Sequence, residues 1–194
     1  MGESGGGEST TWDPRGGGFA PWAGYNPQME QRDDFVRDLE RDLDDLATDL
    51  ISGDEVAAEF RADRATFLGG VDHDPAAARR HLEWFLLERE SEAIGSVPLE
   101  LAVDLRTTTD EDRALRYAAL RGSRAGIFVL ARVDPSEGLL LDELLGRGQY
   151  VVDEPLLASQ LEPGDLLVGR IFPRDLAGSG ERTTWCLSSG AASL

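Results

Sequence analysis

The sequence predicts an α+β protein: an N-terminal helical subdomain, then a small SH3-like or OB-like β-barrel, all behind a disordered Gly-rich tail. Three observations predict it. Up to about Gly122, apolar residues recur in steps of three and four, the repeat of a helix face. From Ala125 onward they fall in short β-branched and aromatic runs. Gly and Pro turns separate those runs, the pattern of a small barrel whose interior side chains fill the middle. The expected divisions are a tail at 1–25, an acidic helical subdomain at 26–122 and a barrel at 123–190.

The tail is Gly, Ser, Pro and acid, a composition that cannot repay the cost of ordering its backbone. Within GGGFAPWAGYNP, Phe19, Trp22 and Tyr25 recur every third residue. Trp and Tyr bring large contact area for few rotors, so the three are candidate partner-binding residues. They suit equally a fold-back onto the chain's own first helix.

Asn26-Pro27 supplies a cap followed by Pro in the first helical turn, and Phe35, Val36, Leu39, Leu43, Leu46 and Leu50 form one stripe. The other faces hold Asp33, Asp34, Asp38, Asp42, Asp44, Asp45 and Asp49, read as a solvated surface, with Asp33/Arg37 and Arg41/Asp45 at i,i+4 spacing. Gly53 ends the helix. A second starts near Asp54, with Val56, Ala57, Phe60, Phe67 and Leu68 apolar, and closes at Gly69-Gly70. Asp74-Pro75 opens the third, where Leu82, Trp84, Phe85, Leu86 and Leu87 crowd the circumference; that crowding predicts the central helix. A short helix, LELAVDL, follows Val97-Pro98. Asp110 starts the fifth, with Leu115, Tyr117, Ala118 and Leu120 apolar and Gly122 at its end.

The strands expected are GIFVLARV, a short LLL after the DPSEG turn, QYVVDE after Gly146 and Gly148, the apolar run of LEPGDLLVGRIF, and TTWCLSS, with LLASQL as a connection. In LEPGDLLVGRIF, Pro163 presets the second position of a turn, and Gly164 can take the positive φ that a type II turn demands next. Asp165 can bond nearby amides. Gly169, inside the strand, predicts a bend or a close backbone approach. A phosphate cradle would need strand, loop and helix in that order and usually a Lys, and the chain has no Lys.

A formal net charge of −18 repels phosphates and anionic head groups, so nucleic acid and membrane surfaces are excluded as expected partners and a basic protein is favoured. All 19 cationic side chains are Arg, as a GC-rich genome would give. The single cysteine, Cys186, excludes an internal disulfide framework and reads as a small buried hydrophobe. With no leader and no apolar run of about 18 residues, a cytoplasmic location is expected.

Catalytic signatures are sparse. GSRAG, Gly122 to Gly126, has the wrong spacing for a nucleophile elbow and lies between a helix and a strand. Asp72, His73 and Asp74 are consecutive and so rarely point at one centre, and Asp74 is already wanted as a cap. His81, beside Glu83 and Trp84, reads as a packed or solvent-facing residue at a helix edge. No catalytic residue, cofactor or metal is expected. The function expected is a protein-interaction or adaptor role through the acidic helices and the aromatic tail. The alternative is an enzyme with its site between helices and barrel, using acids such as Glu83 or Asp165.

The series HLEWFLLERE, GSVPLELAVDL, SRAGIFVLARV, GLLLDELLGRGQYVV and LEPGDLLVGRI, from Arg79 to Phe172, resembles the region that precedes a SEC-C zinc motif in various bacterial proteins. The resemblance implies a shared helical-plus-barrel fold and brings no activity or catalytic residues. The Cys/His cluster of the SEC-C motif itself is absent, so zinc is not implied.

Overall fold

The computed structural model describes residues 34–69, 74–105, 110–134, 138–146, 148–154, 160–174 and 183–194. The expected tail, the helix start at Asn26 and most of the LLASQL connection lie outside them.

Five helices, α1 (Asp34–Leu50), α2 (Asp54–Leu68), α3 (Pro75–Leu87), α4 (Pro98–Leu105) and α5 (Glu111–Gly122), precede the strands. Local chemistry sets several ends. Asp74 accepts from the Ala76 amide at 2.9 Å and Asp110 from the Arg113 amide at 3.1 Å, so each caps its helix as expected. Gly69 ends α2 in the left-handed region.

The α1 stripe is buried at Val36, Leu39, Leu43 and Leu46, each contributing roughly 2 kcal/mol of apolar burial. Two of its carboxylates are inside, and one of them, Asp42, was expected on the wet face. Asp42 meets Arg113 and Arg116 of α5, the latter at 2.5 Å, and Glu40 reaches the barrel. Arg37 pairs with Asp34 and Arg41 with Asp38, both i,i+3; of the two i,i+4 pairs expected, Asp33/Arg37 lies partly outside the described residues and Arg41 takes Asp38 in place of Asp45. On α5, Leu115 and Ala118 face solvent while Ala119 turns inward with Tyr117 and Leu120, because the helix docks through the edge that carries its arginines. The central place of α3 is as expected: Leu82, Phe85 and Leu86 are buried, and the helix packs on α1, α2 and α4.

The strands are β1 (Arg124–Asp134), β2 (Gly138–Glu143), β3 (Gln149–Val152), β4 (Leu166–Pro173), β5 (Thr184–Leu187) and β6 (Ala192–Ser193). Their order is β1-β2-β3-β5-β4, and β4 pairs back with β1, closing a five-strand barrel. The β3–β5 contact is parallel and the other pairings are antiparallel. Of the two barrels expected, this strand order is the OB type. β1 serves two neighbours along its length, with a bulge between Leu130 and Arg132 that lets it curl.

The short β6 was not expected. It continues the line of β5 along β4 after a bulge at residues 188–191, which carries the barrel to Ser193. Gly169 makes this possible, since a Cβ there would lie 2.7 Å from Ala191 Cα and 2.8 Å from its Cβ. The expected turn is also present: Gly164 has φ +101°, the Asp165 amide bonds the Glu162 carbonyl at 3.0 Å, and Asp165 Oδ2 accepts from the Glu162 amide.

Alternation gives each barrel strand two faces. Phe128, Leu130, Leu139, Leu141, Val152, Leu167, Ile171 and Leu187 fill the interior. Phe172 and Cys186 point outward and belong to the helical core, so helices and barrel share one packed layer.

Candidate functional site

A dense polar cluster lies where α3 meets the barrel. Residues 79, 80 and 83 are on the barrel-facing side of α3, Arg170 projects outward from β4, and the β5–β6 bulge brings Ser188 to Gly190 between them. Glu83 is 1% and Arg170 3% exposed. Glu83 Oε1 accepts from Ser188 Oγ and, at 3.3 Å, from Arg79 Nε. Arg170 Nε lies 3.9 Å from Glu83 Oε2, and the guanidinium also donates to Glu88 and, at 2.8 Å, to Ser123 Oγ. The bulge backbone is held as well: the Ser189 amide donates to Glu40 at 2.8 Å, and Arg80 donates to the Gly190 carbonyl at 2.7 Å.

Burial pushes the Glu83 carboxyl above its ordinary range, opposed by Arg79, the Ser188 bond and Arg170. The carboxylate is held by fixed donors rather than facing an open space where a substrate could sit, and among the described residues no imidazole stands beside the Ser188 hydroxyl. Chemically the cluster is suited to fastening the barrel to α3.

On another side of α3, His81 is fully buried among Phe60, Phe67, Trp84 and Phe85, with ring centroids 4.7, 5.3, 6.0 and 6.4 Å away. Neither ring nitrogen has a hydrogen-bond partner among the described residues. Burial, then the nearby Arg64, lowers its pKa to about 4, with Asp63 opposing. The sign follows from linkage. Between about pH 6.5 and 4 the unfolded chain binds the proton and the folded one does not, so stability falls as pH drops through that window, by about 3 kcal/mol at most. His81→Leu is expected to be at least as stable as the parent at pH 7 and to lose this part of the acid sensitivity. Urea unfolding at several pH values between 4 and 7 checks it.

A third feature lies at one end of the barrel. Phe128 and Glu143 are direct cross-strand partners, so both side chains face inward. Glu143 is 8% exposed, and its buried Oε2 has no hydrogen-bond partner among the described residues. The β2–β3 turn beside it exposes Leu144 and Leu145.

The residues singled out from sequence are dispersed. Phe19, Trp22, Tyr25, Asp72 and His73 lie outside the described residues. Asp74 is a cap and Asp165 closes a turn, far from Glu83 in role. Ser123 caps the end of α5, donating to the Leu120 carbonyl at 2.6 Å. Cys186 is a buried free thiol. His81, read as a packed or solvent-facing residue at a helix edge, is packed in the core. Among the described residues no group of three or more His, Cys, Asp or Glu side chains is placed to hold a metal ion, and no helix is long and apolar enough to cross a membrane. Arg170, Ser188 and Glu143 carried no sequence signal, because each acquires its role from a strand pairing or a contact distant in the chain.

Comparison with protein-family models, curated proteins and solved structures returns no match.

Proposed function

We propose that the protein is a cytosolic protein-interaction or adaptor module that takes a basic protein partner. One observation carries the reading: with a net charge of −18, the helical half presents Asp34, Asp45, Asp49, Asp54, Glu55, Glu111 and Asp112 to solvent. Several of its arginines are meanwhile drawn into ion pairs, Arg113 and Arg116 with Asp42 and Arg121 with Glu100. Such a surface steers a cationic partner over about a Debye length. Phe19, Trp22 and Tyr25 supply a second, apolar contact.

OB-type barrels host oligonucleotide binding elsewhere, but fold alone is no guide to ligand, and the charge opposes phosphate. The enzyme alternative would rest on Glu83, whose Oε1 accepts from both Ser188 and Arg79 and whose Oε2 has Arg170 Nε 3.9 Å away; this favours the binding reading.

Affinity capture from native lysate with the full chain tests the proposal. A basic protein recovered at about 50 mM salt and largely lost at about 0.5 M is expected, with weaker recovery when Phe19, Trp22 and Tyr25 are replaced by Ala. Nothing above background at low salt, or capture indifferent to salt, overturns it.

A further inference from the structure

We propose that the barrel end between the start of β1 and the β2–β3 turn receives an arginine side chain from the basic partner, with apolar residues on either side of that arginine. This rests on the proposed function and adds a site and a ligand chemistry to it.

The site centres on Glu143. A buried carboxylate oxygen without a donor is costly, and native chains retain few of them. Here the oxygen sits on the inward face of the last residue of β2, at the rim of the barrel. Its surroundings are those of a cation site. The Phe128 and Tyr150 rings meet edge to face at 5.9 Å and form an aromatic floor. Two glycines leave the rim without side chains. A Cβ at Gly126 would lie 3.2 Å from Phe128 Cζ and 3.5 Å from Glu143 Cγ, and one at Gly148 would lie 3.5 Å from the Tyr150 hydroxyl. Side chains at either position would close over the acid and the rings.

A guanidinium suits this arrangement better than an ammonium. It is planar, weakly hydrated, stacks on aromatic faces and can give a carboxylate two parallel N–H bonds. Around the same rim the chain exposes Ile127, Leu144 and Leu145, the last at 76%. Ile127 and Leu144 are tied together, since the Leu144 amide donates to the Ile127 carbonyl at 2.8 Å. These residues would cover apolar neighbours of the incoming arginine.

The test is an amide NMR titration of the full chain with the peptide acetyl-Leu-Arg-Leu-amide and its citrulline counterpart, which has the same shape without the charge. Expected are shifts at Gly126, Glu143, Gly148 and Tyr150, with the citrulline peptide weaker by about tenfold or more. Glu143→Gln should weaken the arginine peptide to a similar extent. Glu143→Leu should abolish binding yet raise the thermal midpoint, because it removes the partnerless oxygen. Equal binding of the two peptides, shifts confined to α1, or a lowered midpoint for Glu143→Leu each overturn the site. Capture of a basic partner equally by parent and Glu143→Gln overturns this inference while leaving the proposed function standing. No captured partner overturns the wider reading, and the peptide titration still decides the site.

Discussion

Replacing Arg170 with Met is expected to cost about 3–5 kcal/mol of stability, because it removes one partner of a buried charge and leaves the other behind. Arg170 is 3% exposed and ties Glu83, Glu88 and Ser123 together across the helix–barrel boundary. Met fills a similar volume, so the loss is electrostatic rather than a cavity effect. The variant also gains a pH signature. The Glu83 carboxyl already sits above its ordinary value through burial, and losing Arg170 raises it further. A carboxyl whose folded pKa is raised binds a proton in the folded state that the unfolded chain has released. Stability therefore falls as pH rises from the ordinary carboxylate value upward. Urea unfolding should give a midpoint that declines from about pH 5 to 8 in Arg170→Met, more steeply than in the parent. Adding Glu83→Gln should remove that slope and recover much of the loss, a non-additivity expected of groups in direct contact.

Gly138→Ala is the second large effect, at about 3–4 kcal/mol. Gly138 opens β2 with φ +94°, a conformation that L side chains rarely adopt, and a Cβ there would overlap the Val152 carbonyl oxygen of β3. Strain and collision thus fall on one residue, where the start of β2 lies against the end of β3. Gly164→Ala separates the two causes. Gly164 has φ +101° but open space around the missing Cβ, so only the backbone strain of about 1–2 kcal/mol is expected. Thermal unfolding of the two variants side by side checks the difference. Equal losses would mean that the Val152 carbonyl moves aside at little cost.

What was legible in the sequence was local. Asp74 and Asp110 cap helices through amides two or three residues away, and Pro163-Gly164 makes its turn within four residues. Gly169 announced a close approach, though not that Ala191 would be the neighbour. The switch from helix to extended chain near Gly122 was readable because it changes the apolar period itself. The polar cluster was not. Ser188 is 105 residues from Glu83, and nothing around either residue predicts their meeting. Asp42 reads as one more acid on a wet helix until α5 docks with two arginines against it. Glu143 follows LLLD in a way that suggests only the end of a strand; its inward direction depends on the register with Phe128. The β5–β6 bulge escaped for the same reason, since the strand expected over TTWCLSS ends at Ser189 and the following GAAS has no β-branched or aromatic residue to mark a strand resumed.

The most direct measurement of the central claim exploits a peculiarity of composition. The chain has no lysine. A carbodiimide, which joins carboxylates to amines, therefore links its side-chain acids to lysines of another protein and not to side-chain amines of its own. Applied to the full chain in native lysate and followed by mass spectrometry, it should join acids such as Asp45, Asp49, Glu111 or Asp112 to lysines of a basic protein, with the adducts disappearing at high salt. An absence of adducts above background at low salt, or adducts that persist unchanged at high salt, would contradict the account.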